Sequence, residues 1–216
     1  MNAKAARIYS TIEHRADAVI HVIGILFAIN ATSWLIASVT DASASVIVSV
    51  SVYCLGLLAM IGLSAAYNLT PHHRPFAKQV LRRLDHAAIF IMIAATYTPF
   101  AANRLGFATG SIILALIWCT ATFGVVMKLV FPHRFERASI VLYIAMGWMI
   151  VTVMQPLSAS LAAVDFWLLI AGGLIYSAGV AFYVIERIPF HKAIWHGFVL
   201  AAAIVHFSAV ALEFVH

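Results

Sequence analysis

Charged residues are scarce in this sequence. Asp, Glu, Lys and Arg make up 10% of the 216 residues, and 64% of the residues are hydrophobic, whereas soluble domains average about 25% charged and about 45–50% apolar residues. A soluble enzyme is therefore improbable. Because a membrane-spanning helix needs roughly 20 mostly apolar residues, the apolar content suffices for about seven spans. It leaves no room for a separate soluble domain.

Cysteine and the common catalytic motifs are also rare or missing. The two cysteines, Cys54 and Cys119, lie in apolar runs without a CxxC motif, so no disulfide framework is expected. Their number and spacing do not distinguish an oxidising from a reducing compartment. The sequence has no HExxH, Walker or GxGxxG motif. The Gly62–Ala66 segment is only a partial nucleophile elbow, and it lies in an apolar run with no strand before it. The sequence therefore gives no support for a zinc protease, a P-loop nucleoside triphosphatase or a dinucleotide-binding enzyme.

The apolar residues that are present form long runs separated by short polar connections. The first run lacks a clear small-residue cleavage site and is followed by many others, so it is interpreted as a span rather than a signal peptide. The sequence predicts an all-α membrane protein, a single seven-helix bundle over residues 1–216. The predicted spans lie near residues 17–39, 45–69, 85–103, 109–131, 138–155, 160–184 and 191–214.

The basic residues are distributed very unevenly between the two sides that these spans define. The net charge is +5, and all but one of the 13 Lys and Arg residues fall on the side of the N-terminus; the exception is Arg104. Cytoplasmic segments retain an excess of Lys and Arg, so the N-terminus is predicted to be cytoplasmic and the C-terminus outside, in the inner membrane of a bacterial-type cell. The charges are too scattered for a nucleic-acid surface.

Several polar residues lie within the predicted spans, near their cytoplasmic ends. Such residues are costly in a membrane and usually face the bundle interior, which makes each a candidate functional residue. Ser64 and Asn68 are an i,i+4 pair, as are Lys192 and His196, so each pair shares one helix face. A single histidine at a helix end is nevertheless more often a hydrogen-bonded residue than a ligand. The full set is Asp17, His21, Ser64, Asn68, Asp85, His86, His191, Lys192 and His196.

Four segments resemble the hemolysin III family, and the similarity runs from about residue 10 to the end of the chain. They are Arg82–Phe100 (RRLDHAAIFIMIAATYTPF), Leu142–Trp148 (LYIAMGW), Ile188–Leu200 (IPFHKAIWHGFVL) with His206 and Phe207 beyond it, and Glu13–Gly24 with His21. The resemblance implies a seven-helix protein related to the progestin and adipoQ receptors, within a superfamily that includes alkaline ceramidases.

The resemblance also implies a zinc site near the cytoplasmic end. In the relatives, one histidine of a Ser-x-x-x-His pattern in span two and two histidines of a His-x-x-x-His pattern in span seven bind zinc, with an Asp at the start of span three nearby. Three protein ligands leave a fourth position for a water molecule. Ser64, Asp85 and His196 match this pattern, which implies catalytic roles for Ser64 and Asp85 and metal binding by His196 and Asp85.

Two of the implied ligand positions carry other residues in this chain. Asn68 and Lys192 stand where the pattern has histidines, and since an ammonium group cannot bind a metal ion and repels one, these replacements argue against zinc. One hypothesis is that Lys192 replaces the charge of the metal and pairs with Asp85, with hydrogen bonds to Asn68 and His196. The alternative is that His191 enters the site through a π-bulge, with His72, His73 or His86 supplying a further ligand.

Three functions remain open from the sequence. The family name implies cytolysis by pore formation, for which the uniformly apolar spans give no independent support. The superfamily implies a metal-dependent lipid amide hydrolase, which Asn68 and Lys192 weaken. The third is a non-enzymatic role in membrane lipid homeostasis, with membrane lipids as the partners, and the sequence favours this one.

Overall fold

Seven apolar helical spans make up the fold. The computed structural model describes residues 10–71, 73–131, 134–185 and 187–215. Over these residues the structure is helical, without strands, and the prediction of a seven-helix membrane protein is confirmed. The helices are α1 Thr11–Ser38, α2 Ala44–Leu69, α3 Pro75–Asn103, α4 Phe107–Val130, α5 Glu136–Gly147, a 3₁₀ segment Trp148–Val153, α6 Met154–Ser160, α7 Ala163–Val184 and α8 His191–Phe214. Helix α5, the 3₁₀ segment and α6 together form the fifth span.

Three predicted boundaries differ from the structure by more than four residues. Helix α1 begins six residues early because Ser10 and Glu13 form a capping box. Helix α3 begins at Pro75 rather than near residue 85: its first turns are charged, which lowers hydropathy, but Pro is favoured at the first helical position and Lys and Arg are good helix formers. The fifth span continues to Ser160 because Pro156 falls in the first turn of α6, where proline is tolerated.

The order of packing follows the chain closely. Helix α2 packs between α1 and α3, α4 packs on α3, and α8 packs between α1 and α7. The buried apolar core runs along α2, α3 and α8 and includes Tyr53, Leu57, Met92 and Ala203. Gly172 allows close approach of α7 to α8, since a Cβ atom there would overlap the ring of His206.

The two ends of the bundle differ in charge. Helices α1, α3, α5 and α8 begin at one end, which carries Arg15, Arg82, Arg83 and Arg137 and is called the basic end below. At the opposite end, Arg104 forms an ion pair with the buried carboxylate of Glu213, and the buried carboxyl group of Asp165 lies close to Glu213. The exception to the basic-residue bias is therefore a structural partner of buried carboxyl groups.

The fifth span changes its helical pitch in the middle of the bundle. The hydroxyl of Tyr97 donates toward the carbonyl oxygens of Met146 and Gly147 at 3.0 and 2.9 Å and accepts from the backbone N–H of Ile150 at 2.7 Å. Backbone groups released where α5 gives way to the 3₁₀ segment are thereby satisfied inside the protein. This is required because an unpaired backbone group in a membrane costs several kcal/mol.

Candidate functional site

Glu13 connects the first turn of α1 to the first turn of α8 and so fixes the positions of the two helices along the bundle axis. One carboxylate oxygen accepts from the N–H of Ser10 at 2.8 Å, within the capping box of α1. The other accepts from the N–H of Phe190 at 2.9 Å, in the turn before α8. The two helices consequently begin at the same level, and residues about one and a half turns into each, Asp17 and His196, come to the same depth.

Asp17 binds two histidines from different helices. Its Oδ1 atom lies 2.6 Å from Nδ1 of His196, and its backbone oxygen lies 2.8 Å from Nδ1 of His21. A carbonyl oxygen can only accept, so His21 carries its proton on Nδ1, and its Nε2 atom holds a lone pair. The rings of His21 and His196 lie edge to face, with centroids 4.5 Å apart.

Helices α2 and α3 complete the site on the other side of His21. Nε2 of His21 lies 3.4 Å from Oγ of Ser64 and 3.5 Å from Nδ2 of Asn68. Asn68 also donates to the backbone oxygen of Ser64 at 2.9 Å, and the carboxyl group of Asp85 lies close to Ser64. A continuous polar chain therefore runs from Asp17 through His21 and Ser64 to Asp85.

These side chains surround a cavity of about 520 Å³ at the basic end. The predicted site residues converge on it from α1, α2, α3 and α8, which places them together as the sequence suggests. Those that line the cavity are His21, Ser64, Asn68, Asp85, His86, His191, Lys192 and His196, and Asp17 lies behind His21 and His196. The lining also includes an exposed ion pair between Arg82 and Glu136, at 2.6 Å.

An apolar cavity of about 140 Å³ adjoins the polar one. The two share Met60, Ile89, Tyr176 and Trp195 in their walls. The apolar cavity continues between α3, the fifth span and α7, where Gly173 and Ile150 line it. A polar chamber at the basic end thus borders an apolar chamber deeper in the bundle, with these side chains in the walls of both.

The zinc ligands implied by the resemblance do not fit the residues present. Asn68 turns its amide nitrogen toward His21 and Ser64, and Lys192 offers a cation. A different group fits better: Asp17, His21 and His196 each have a donor atom within 4.8 Å of the others, and this group could hold a metal ion. Two donors of this group come from α1.

The contacts of the polar side chains differ in part from the sequence hypotheses. His196 is bound by Asp17, not by Asp85, whose own partner is Ser64. Among ion pairs between described residues, Lys192 is not joined to Asp85. Helix α8 runs from His191 without a π-bulge, and His191, although buried, is outside the group of Asp17, His21 and His196.

The sequence hypotheses assign no specific role to Asp17 and His21, which are predicted only as polar residues near the cytoplasmic end of the first span. Their i,i+4 spacing was a signal, because it puts a carboxyl group and an imidazole on one face of α1. What the sequence could not supply is the packing of α1 directly against α8, which joins residues far apart in the chain.

Comparison with known proteins places the chain in a family. The family described as Haemolysin-III related matches residues 9–207. The chain is 38% identical to the Hemolysin-3 homolog of Bacillus subtilis (strain 168) over 199 residues, 92% of each chain. It is 38% identical to Hemolysin-3 of Bacillus cereus, over 92% of this chain and 90% of that protein.

A more distant relative is a human protein. The chain is 28% identical to the Monocyte to macrophage differentiation factor of Homo sapiens over 163 residues, 74% of this chain and 67% of that protein. The family match over nearly the whole length and the seven apolar spans lead to one conclusion: this chain is a multi-pass membrane protein that belongs to the haemolysin III family.

Proposed function

We propose that this protein binds membrane lipids in its two neighbouring cavities and acts in membrane lipid homeostasis. The headgroup lies in the polar cavity at the basic end, and an acyl chain enters the apolar cavity. The observation that carries the proposal is that the two cavities border each other, with Met60, Ile89, Tyr176 and Trp195 in the walls of both. Ligand sites of this kind are concave and mostly apolar, with a few placed polar groups.

The charges around the polar cavity favour an anionic headgroup. Three basic side chains, Arg82, Arg137 and Lys192, line it together with two acidic ones, Asp85 and Glu136. Among the described residues of the lining, basic side chains therefore outnumber acidic ones. Phosphate and carboxylate groups of lipids are recognised by such cations.

The same asymmetry supports the membrane orientation. Because cytoplasmic segments are enriched in Lys and Arg, the basic end faces the cytoplasm in this proposal, and the N-terminus with it. The cavity then opens to the cytoplasmic leaflet of a bacterial-type inner membrane, where anionic lipids are available.

Lipid extraction tests the proposal. Protein purified in mild detergent is extracted with organic solvent, and bound lipids are measured by mass spectrometry. We expect anionic lipid to co-purify with the protein and to fall in Lys192→Gln. Arg83→Gln, which removes a basic residue that does not line the cavity, is the matched control and should retain the lipid. Equal lipid content in all three proteins would contradict the proposal.

A second candidate is hydrolysis of a lipid amide. The polar chain between Asp17 and Asp85 favours it, since it puts a carboxyl group and the Ser64 hydroxyl beside the cavity. Asp85 would take the proton of a water molecule that attacks the amide carbonyl carbon and deliver it to the nitrogen of the leaving amine as the C–N bond breaks, and Ser64 would orient the Asp85 carboxyl group. Release of fatty acid from a ceramide-like substrate, lost in Asp85→Ala, would support this reaction; absence of release by lipid-loaded protein would reject it.

Pore formation receives no support from the described part of the chain. Charged groups gather at the two ends of the bundle, and the layer between them is filled largely by apolar residues such as Leu57, Met92 and Ala203. A channel requires a polar or water-filled path. Liposomes that contain the purified protein should therefore leak no faster than liposomes with an unrelated seven-span protein.

A further inference from the structure

We propose that His206 and Tyr176 form a hydrogen-bonding site for a hydroxyl group carried on the apolar chain of a bound lipid. Both side chains lie in the wall of the apolar cavity, where α7 packs on α8. The inference rests on the lipid binding proposed above and adds the chemical class of the lipid, which is one whose chain is hydroxylated far from the headgroup.

His206 keeps one ring nitrogen for a further partner. Its Nε2 atom lies 3.1 Å from the backbone oxygen of Leu169. Since a carbonyl oxygen only accepts, Nε2 carries the proton, and Nδ1 of the neutral ring is a hydrogen-bond acceptor. Nδ1 has no hydrogen bond to any residue that the structure describes. An ionisable side chain in the middle of a membrane span is costly, which makes His206 a candidate functional residue.

Two tyrosine hydroxyls in the middle of the bundle are also poorly used. The ring centroid of Tyr176 lies 5.6 Å from that of His206, and its hydroxyl makes a 4.0 Å contact with the sulfur of Met60. Tyr53 lies close to Tyr176 and is fully buried, and its hydroxyl has no hydrogen-bond partner in the described part of the chain. Buried polar groups normally have a partner, and each exception requires an explanation. A polar group on the ligand supplies one.

Other polar side chains in the wall of the apolar cavity already have partners within the protein. The Thr96 hydroxyl donates to a backbone oxygen of its own helix at 2.9 Å. The indole N–H of Trp148 donates to the Ser177 hydroxyl at 3.0 Å. A polar group that enters the cavity therefore finds unused hydrogen-bonding capacity at His206 and Tyr176 rather than at these side chains.

The donors and acceptors of the pair fit a hydroxyl group. A hydroxyl can donate its proton to Nδ1 of His206 and at the same time accept from the hydroxyl of Tyr176. A ketone can only accept, and a plain hydrocarbon chain can do neither. A site built to hydrogen-bond a hydroxyl discriminates against analogues without one, because its buried polar groups are then left unpaired.

The depth of the pair determines where the hydroxyl lies on the chain. His206 follows His196 by ten residues in α8, which puts it about 15 Å further from the basic end. Half of the hydrocarbon core of a bilayer is also about 15 Å thick. A lipid whose headgroup occupies the polar cavity therefore brings the distal part of its chain, not its headgroup, to His206.

Competition between three matched lipids tests the proposal. Delipidated protein in detergent is mixed with equal amounts of three lysophosphatidic acids: one with a stearoyl chain, one with a hydroxyl on the distal half of that chain, and one with a ketone at the same carbon. Native mass spectrometry measures the occupancy of each. We expect the hydroxylated lipid to be preferred about 10- to 100-fold over the other two, which corresponds to two hydrogen bonds.

Variants of the cavity wall assign this preference to its source. Tyr176→Phe removes one hydrogen bond and keeps the ring, so the preference should fall about 3- to 10-fold, and His206→Phe should reduce it as well. Thr96→Val is the matched control, since it removes a hydroxyl of the same wall that already has a partner, and it should keep the full preference. Elution volume and thermal unfolding in detergent show that each variant is folded.

Two results would overturn the proposal. One is equal occupancy by the three lipids in wild-type protein, which would reject hydroxyl recognition while lipid binding itself stands. The other is an undiminished preference in folded Tyr176→Phe protein. A wild-type protein that binds none of the three lipids would reject lipid binding and this inference together, so the two failures are distinguishable.

Discussion

Nδ1 of His196 lies 2.6 Å from the Oδ1 atom of Asp17, which joins α8 to α1 across nearly the whole sequence. Both side chains are largely buried, with exposed fractions of 13% and 12%. The contact brings the first helix into the candidate site. It also closes the bundle at the basic end, where α1 and α8 begin together.

The Asp17–His196 pair should contribute measurably to stability. Hydrogen bonds to charged groups are worth about 1.5–3 kcal/mol, so Asp17→Asn and His196→Gln should each lower the free energy of unfolding by about that amount in metal-free protein. The double variant should lose less than the sum of the two, because the interaction can be removed only once. Additive losses in thermal unfolding would show that the two side chains are not coupled.

The Arg104–Glu213 pair should be more important than its position at the bundle end suggests. Arg104→Met leaves Glu213 buried beside Asp165 without its cation, and loss of one partner of a buried pair costs about 3–5 kcal/mol. Arg82→Met breaks an exposed pair with Glu136, for which about 1 kcal/mol or less is expected. Thermal unfolding of the two variants gives the comparison, and Glu213→Gln should partly rescue Arg104→Met. Equal losses would contradict this account of Arg104.

Tyr97 should stabilise the break in the fifth span. Tyr97→Phe removes the hydroxyl that contacts Met146, Gly147 and Ile150, which leaves backbone groups unpaired at a cost of about 1–3 kcal/mol. Amide exchange should become faster around residues 146–150. Tyr176→Phe is the control, since that hydroxyl has only a 4.0 Å contact with the sulfur of Met60. Unchanged exchange in Tyr97→Phe would contradict the role given to the hydroxyl.

Two adjacent glycines should respond oppositely to the same substitution. Gly172→Ala would force a Cβ atom into the ring of His206, and such overpacking typically costs about 1–3 kcal/mol. Gly173→Ala meets nothing within 4 Å, and alanine favours a helix over glycine by up to about 1 kcal/mol. Melting temperatures of the two variants should lie on opposite sides of the wild-type value. Similar values would mean that α7 and α8 do not pack as described.

The fold follows from the sequence because membrane spans depend on local properties. Apolar runs of sufficient length located all seven spans, whereas the start of α3 was missed because Lys78, Arg82 and Arg83 lower the hydropathy of a helix that extends beyond the apolar run. Likewise, the fifth span is predicted to end at residue 155, directly before Pro156, although Pro156 occupies the first turn of α6. Hydropathy reports burial in lipid, not helix ends.

Only part of the candidate site could be predicted from the sequence. Topology alone placed Ser64, Asp85 and His196 at one depth, and the structure brings them to one cavity. The partner of His196 could not be chosen from the sequence, because Asp17 and Asp85 lie at the same end. The choice depends on the rotation of α1 about its own axis and on the contact between α1 and α8, which arise from tertiary packing.

The central claim is that the polar cavity and the neighbouring apolar cavity together hold a lipid. Native mass spectrometry of the Gly173→Phe variant tests this claim most directly. Gly173 lines the apolar cavity with open space around its Cβ position, so a phenylalanine there should fill the chamber without disturbing the core. Wild-type protein released from detergent should retain bound lipid, and Gly173→Phe should lose it while its thermal unfolding stays unchanged. Retention of the same lipid by the stable variant would contradict the account.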